Sequence, residues 1–398
     1  MNKYQEWISK RYLAYRVLTS MWFLSAVWLY LYRIYITDYQ VGILDAVAFA
    51  IGLVAEVPSG ALADRFGRAK LIKIGQVLVG GGILIQAFGN SFLPFFIGQA
   101  ILMVGLAFMS GADDALFFEK LKYKKDSLDW RKLVTRGSQL SLLFGLLATV
   151  VGGFLHTIDP RIPWVLTGLA FVLSVLTISK INDDRRLHDF YGFKNELKGY
   201  LEGIKLSVKE FWSDRLRLYL PIIFVVQGLF YASGFGILRI IMLDRFEFEP
   251  FWGSLVIASS SLITVGLLGY MHKNAHAMSE KKVISITAIS AASSLLLSVA
   301  NIGNWGYIVI LVLYAGEYLI TPFMSDVLNK HTSDSHRATV LSTASFLKSI
   351  PYVLLAPVIG YLNTQNSLES FFVIWAALII ASVAIYLRLR KRDFKIEV

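Results

Sequence analysis

Four ionisable residues stand inside apolar runs: Asp45 and Glu56 in "VGILDAVAFAIGLVAEVPSG", Glu317 in "LVLYAGEYLIT" and Lys348 in "STASFLKSIPYVLL". A charge in such surroundings is costly, so by default it marks function. The chemistry open to it is to take up and release a proton, to pair with an opposite charge, or to hold a charged ligand. Asp45 and Glu56 lie eleven residues apart, which on a helix leaves them nearly in register on one stripe with Phe49 and Gly52. Glu317 shares a face with Tyr314 and Thr321. A second kind of cluster, "GALADRFGRAK" at residues 60–70, sets one acid and three bases around Gly60 and Gly67 between two apolar runs. It reads either as a solvated turn or as a working part.

The elements that must carry these residues are membrane spans. The chain has 398 residues, of which 56% are hydrophobic and only 17% charged, with a mean hydropathy of +0.57. A soluble domain carries charge nearer a quarter. The apolar residues come in blocks of about twenty, the length that crosses a bilayer as helix. Twelve spans are predicted, at 14–36, 41–63, 70–89, 92–118, 136–156, 163–181, 218–241, 251–271, 283–301, 305–327, 339–361 and 369–388. The net charge of +11 does not point to nucleic acid, because the bases sit in short loops between spans. All but five of the 39 Lys and Arg fall on one face if the N-terminus is cytoplasmic, the exceptions being Arg33, Arg161, Arg239, Arg245 and Lys348. That bias places both termini inside a cell membrane. Arg33 and Arg239 are expected to snorkel to the outer interface, in preference to binding substrate. There is no cysteine, which excludes disulfides and thiolate metal sites. The N-terminal "MNKYQEWISKRYLAYR" lacks the pattern of a cleaved signal, so the first span is read as part of the mature protein.

One long connection, 182–217, repeats Leu197, Leu201, Ile204, Val208 and Phe211 at helical spacing and is predicted to lie as an amphipathic helix on the inner membrane surface. It divides the chain into a bundle of six spans at 1–181, a linker, and a second bundle of six at 218–398. The halves echo each other: "MSGADDALFFEKL" then "TRGSQLS" resembles "PFMSDVLNKH" then "HRATVLS", so that Asp114 answers to Asp326 and Arg136 to Arg337. A twofold repeat of six spans is the architecture of a rocking transporter with a site near the midplane.

Gly60-x-Leu62-Ala63-Asp64-Arg65-x-Gly67-Arg68-x-Lys70, between spans two and three, resembles the signature loop of the major facilitator superfamily, and the likeness extends over essentially the whole chain. It implies an all-α membrane protein of twelve transmembrane helices in two pseudo-symmetric six-helix bundles. It also implies a gate: Asp64 faces the inner end of span eleven near Arg337–Thr339, and Arg65 and Arg68 pair with acids at the inner end of span four, Glu119 first among them. The alternative is a solvated loop that holds topology. Span four, "FIGQAILMVGLAF", lacks the arginine usual in drug-antiporter branches, and "ATVVGG" keeps only Gly152 and Gly153 of their span-five pattern.

In this fold spans two and eleven face each other, so Glu56 and Lys348 are expected to form a buried pair. Either the pair breaks as the halves rock, with a proton on Glu56 as the coupling step, or it is static. Asp113 and Asp114 cannot share a face, and one of them is expected to meet Arg136. Spans one, seven and ten line the cavity, which makes Trp22, Gln227, Tyr231, Tyr314 and Glu317 its wall. Trp22 is placed on one stripe with Tyr15 and Arg33, and Gln227 and Tyr231 on one with Gly234. The bland reading of such aromatics is lipid contact and interfacial belts.

No Gly-x-x-x-x-Gly-Lys-Ser/Thr loop occurs, so ATP is not hydrolysed by that route. His272 and His276 have metal spacing but no third ligand nearby, and no catalytic triad can be assembled. The expected protein is not an enzyme and takes no cofactor or metal. Its partners are a small molecule, protons and the bilayer, without nucleic acid, and it is expected to be a monomer. The function expected is proton-coupled export of an amphipathic compound or drug by alternating access. The alternative is proton-coupled uptake of a nutrient or metabolite.

Overall fold

The computed structural model describes residues 3–121, 128–181, 216–234, 236–273, 279–332 and 337–393, with 198 and 202. The amphipathic helix expected in 182–217, and His276, lie outside the described residues. The helices run α1 (Lys3–Ser20), α2 (Trp28–Arg33), α3 (Asp38–Phe66), α4 (Arg68–Ala87), α5 (Phe92–Met109), α6 (Ala112–Leu121), α7 (Leu128–His156) and α8 (Ile162–Ile178). They continue with α9 (Gly228–Gly234), α10 (Leu238–Arg245), α11 (Pro250–Lys273), α12 (Glu280–Leu297), α13 (Gly306–His331), α14 (Arg337–Thr364) and α15 (Leu368–Asp393). Among the described residues, 9 helices are long and apolar enough to cross a membrane. The remaining three predicted spans are one, six and nine. Span six is the 17-residue α8. Span nine, α12, opens on Glu280, Lys281 and Lys282 and is rich in small and hydroxyl residues.

Span one is not one helix. Between α1 and α2 the chain makes only short-range turns, such as Ser25 N–H to Trp22 O and Val27 N–H to Leu24 O. Side-chain donors satisfy carbonyls near the end of α1: Thr19 Oγ1 donates to Tyr15 O, Ser20 Oγ to Val17 O and Trp22 Nε1 to Thr19 O. Such local bonds offer the backbone an alternative to the helix. Span seven is also interrupted. A π-helical stretch at Ile222–Gln227 precedes α9, and the chain turns again at Gly236 before α10. Tyr352 fills the space at Gly236, where an added Cβ would stand 2.2 Å from its ring. Non-helical backbone inside a bilayer is tolerated where protein covers it.

The chain divides into two compact units, residues 1–36 with 47–198, and residues 37–46 with 199–398. In the first, α4 is the inner pillar. Its glycines meet glycines on two neighbours: a Cβ at Gly75 would lie 2.7 Å from Gly105 O, one at Gly82 2.5 Å from Gly98 O, and one at Gly80 2.7 Å from Gly168 O. In lipid, where burial of apolar surface does not drive helices together, such close backbone approach is a main source of contact. Polar bonds also join helices here: Gln76 Nε2 donates to Ser174 Oγ at 2.6 Å, and Tyr32 donates to Gln86. On α7, Gly152 admits the broken segment of span one, since a Cβ there would lie 1.7 Å from Phe23 O.

In the second unit, the start of α3 crosses α14 closely. A Cβ on Gly42 would stand 2.2 Å from Ala356 O, and one on Gly360 2.1 Å from Asp38 O. Asn363 Nδ2 donates to Asp38 at 2.6 Å beside this crossing. Arg245, expected on the far face, ties three elements: it donates to Ser298 O and Val299 O past the end of α12, and its Nη2 lies 2.6 Å from Glu369 on α15.

Candidate functional site

The charged loop between spans two and three comes down to a single residue. Gly67 alone separates α3 from α4, with φ 92° and ψ 137°. Its N–H bonds Ala63 O, and its own carbonyl accepts from Leu71 N–H. A side chain is strained in this conformation, so Gly67→Ala is expected to cost about 1–3 kcal/mol. A lower thermal unfolding midpoint of the purified variant is the readout, and an unchanged midpoint would show that the turn relaxes. Arg68, the first residue of α4, reaches Glu119 on α6 at 3.3 Å, with each side chain about one-third exposed (32% and 33%). A pair this exposed contributes about 0–1 kcal/mol to stability. Gly60 and the side chains of Asp64, Arg65 and Arg337 fall outside the described positions, and so do the expectations placed on them.

Asp113 and Asp114 open α6 just after Gly111, which has φ 70°. Arg136 is exposed on α7, and neither aspartate takes it as a partner. They turn instead to α1: Tyr15 donates to Asp113 at 3.0 Å and Tyr12 to Asp114 at 3.4 Å. Tyr12 and Tyr15 are one turn apart and both pack on Phe117. Adjacent acids can therefore be met by two hydroxyls of one helix face.

The acids within spans are distributed as follows. Asp45 on α3 is 2% exposed and accepts the hydroxyl proton of Tyr352 on α14. Glu56, further along α3, is exposed. Glu317 is at the centre of the densest cluster. Arg239 of α10 lies 3.2 Å from its carboxylate, with side-chain exposures of 15% and 20%. Arg239 is the second residue of α10, where the helix dipole disfavours a cation. Glu317 therefore compensates both the buried charge and its position. The guanidinium also lies over the ring of Tyr314, 4.1 Å from the centroid, and Tyr314 stacks on Tyr318. Lys348 of α14 stands close enough to Glu317 for the two charges to interact. Gly234, closing α9, gives the carboxylate its space, because a Cβ there would lie 2.7 Å from Glu317 Oε1.

Arg239 is thus not the interfacial, snorkelling residue that its place near a span end suggested. The break after Gly234 turns it back toward α13. Its signal in the sequence was an arginine flanked by "GIL" and "IIML", read there only by its nearness to a span end. The other residues predicted for the cavity wall are placed as follows. Trp22 packs edge-on against Phe171, the break in span one having removed the stripe it was to share with Tyr15 and Arg33. Gln227 is 7% exposed at the end of the π-helical stretch. Tyr231 packs beside Tyr352. Of the predicted wall, Tyr314 and Glu317 come together, and Gly234 and Arg239 join them.

A sequence profile described as Major Facilitator Superfamily matches residues 13–354. The chain is 24% identical to the uncharacterized MFS-type transporter YxaM of Bacillus subtilis (strain 168), over 95% of each chain. It is 21% identical to multidrug resistance protein 2 of the same organism, over 72% of this chain and 70% of that one. Among solved structures, the peptide transporter POT in complex with sulfate superposes with a TM-score of 0.75 at 13% identity, covering 98% of this chain and 95% of that one.

Proposed function

The chain belongs to the Major Facilitator Superfamily, and on that premise we propose that it is a secondary active transporter of a small molecule, driven by protons and working by alternating access in a cell membrane with both termini inside. The observation that supports proton coupling is the Glu317–Arg239 pair. An acid held at this depth is retained for a task. A proton on Glu317 ends its hold on Arg239, so the charge of the site changes by one unit when the proton arrives. Asp45 and Glu56 are further acids within spans that can take a proton.

Uptake by proton symport is the direction the pair favours. Glu317 is already occupied by a cation of the chain itself, so a cationic cargo competing with the proton must first displace Arg239. Export of an amphipathic compound is the second reading, supported by the likeness to multidrug resistance protein 2. The two separate in oriented vesicles under an imposed pH gradient. For symport, cargo accumulates in right-side-out vesicles that are acidic outside, and collapse of the gradient abolishes it. Accumulation only in inverted vesicles that are acidic inside would establish export.

A further inference from the structure

We propose that the cargo carries an anionic oxygen group, a carboxylate or a phosphate, and that Arg239 and Tyr314 hold it. The inference rests on the proton-coupled reading above and names the class of cargo for it. Two donors in this cluster make no hydrogen bond of ordinary geometry among the described residues: Arg239 Nε, and the hydroxyl of Tyr314, whose polar neighbour is Ser261. Tyr314 is only 3% exposed. Leaving a buried donor unpaired is costly, and more so for a charged group. The two donors belong to groups in face-to-face contact, the guanidinium lying 4.1 Å from the ring centroid. Both offer hydrogens, so the group that completes them is an acceptor.

Charge points the same way. The charged groups facing one another here are Glu317 of α13, Arg239 of α10 and Lys348 of α14, and the titratable neighbours are Tyr314 and Tyr318 on α13. Two cations face one acid. With Glu317 ionised, Arg239 spends one nitrogen on it. With Glu317 protonated, both cations are uncompensated and the guanidinium is free to take an oxyanion, for which its fork is suited. Proton and anion thus load together, and neither has to displace the other.

The test uses the purified full chain in detergent and matched aromatic probes: 2-naphthoate, 2-naphthyl phosphate and the neutral 2-naphthamide. Binding is followed by thermal shift and tryptophan fluorescence. The anions are expected to bind and the amide not to, and the carboxylate and phosphate arms tell which oxyanion fits. Binding by the parent tightens as pH falls toward the range where Glu317 takes a proton. Glu317→Gln binds at all pH values with the tight affinity. Tyr314→Phe, which keeps the ring and loses only the donor, weakens binding about ten- to a hundredfold. Arg239→Gln abolishes it, and Arg239→Lys serves as the variant that keeps the charge and the fold. Gly234→Ala pushes on the Glu317 carboxylate and shifts the pH at which the anion binds. Equal binding of naphthamide and naphthoate, no binding of either anion by the folded parent, or anion binding unchanged in Tyr314→Phe and Arg239→Lys would overturn the assignment. The outcomes separate this proposal from transport itself. Vesicles that move a neutral or cationic cargo while no anion binds would sink the anion site and leave the transporter reading. Anion binding by a protein that moves nothing across vesicles would do the reverse.

Discussion

Glu317→Gln is expected to leave a folded protein that binds and exchanges cargo but no longer accumulates it. The glutamine keeps the shape beside Gly234 and removes the group that takes the proton. In proteoliposomes, a gradient of about 1 pH unit is worth about 1.4 kcal/mol per coupled proton, or about tenfold accumulation. The variant should lose that factor and retain counterflow, the exchange of labelled for unlabelled cargo across a membrane with no gradient. A cargo found by thermal-shift screening serves for the assay. Arg239 is released in the variant as it is by protonation, which is why exchange survives. Parent-like, gradient-driven accumulation by Glu317→Gln would move the coupling step to Asp45 or Glu56. Loss of both exchange and accumulation in a monodisperse variant would make Glu317 part of the framework.

Gly152→Val is expected to be the most damaging single change to the first unit. A Cβ at this position would lie 1.7 Å from Phe23 O, 2.6 Å from its carbon and 3.0 Å from its Cα. All three are backbone atoms in the broken part of span one, and none can swing aside as a side chain can. Overpacking typically costs about 1–3 kcal/mol and occasionally more. The contact also carries the Ser25–Thr149 hydroxyl bond and the bond from Leu24 N–H to Thr167, which must move with it. The readout is the thermal midpoint and the monodisperse yield of the purified variant. Gly81→Ala, at a helical glycine with nothing within 4 Å, is the control and should match the parent. A midpoint of Gly152→Val equal to that of the control would mean that the segment has another way to pack.

Both predictions lie on features that differ in how readable they were. Glu317 declared itself, because an acid amid "LVLYAGEYLIT" has no other reason to be there. Gly67 and the Arg68–Glu119 contact were also legible, from the spacing of the charged loop. Arg239 was misplaced because it was judged only by its nearness to a span end. Stripe arguments assume an unbroken helix, and the register is lost at 21–27 in span one and again after Gly234 in span seven. The same loss took Trp22 off the stripe it was to share with Tyr15 and Arg33. Tyr352 gave no sign at all: its bond to Asp45 joins residues 307 positions apart, and a tyrosine in an apolar run is otherwise unremarked. Only one of Asp113 and Asp114 was expected to take a partner, and that partner was Arg136. The pairing went to tyrosines of α1 because those are the groups that packing on Phe117 holds within reach.

The glycine contacts of α4 bear on how the protein is made. Helices α4 and α5 are joined only by Phe88–Ser91, so Gly75 and Gly82 can meet Gly105 and Gly98 as soon as both have left the ribosome and entered the membrane. Every atom lining these four glycine contacts belongs to α4 or α5, so no later helix is needed to complete them. The hairpin of spans three and four is thus a self-sufficient first assembly product. Gly168 of α8 docks on its other side only after three further helices have been synthesised. Span one, made first, has its break seated by Gly152 of a helix that emerges after this hairpin. The earliest segment of the chain is among the last to acquire its neighbours, and it must wait in the bilayer, or in the insertion machinery, until α7 arrives.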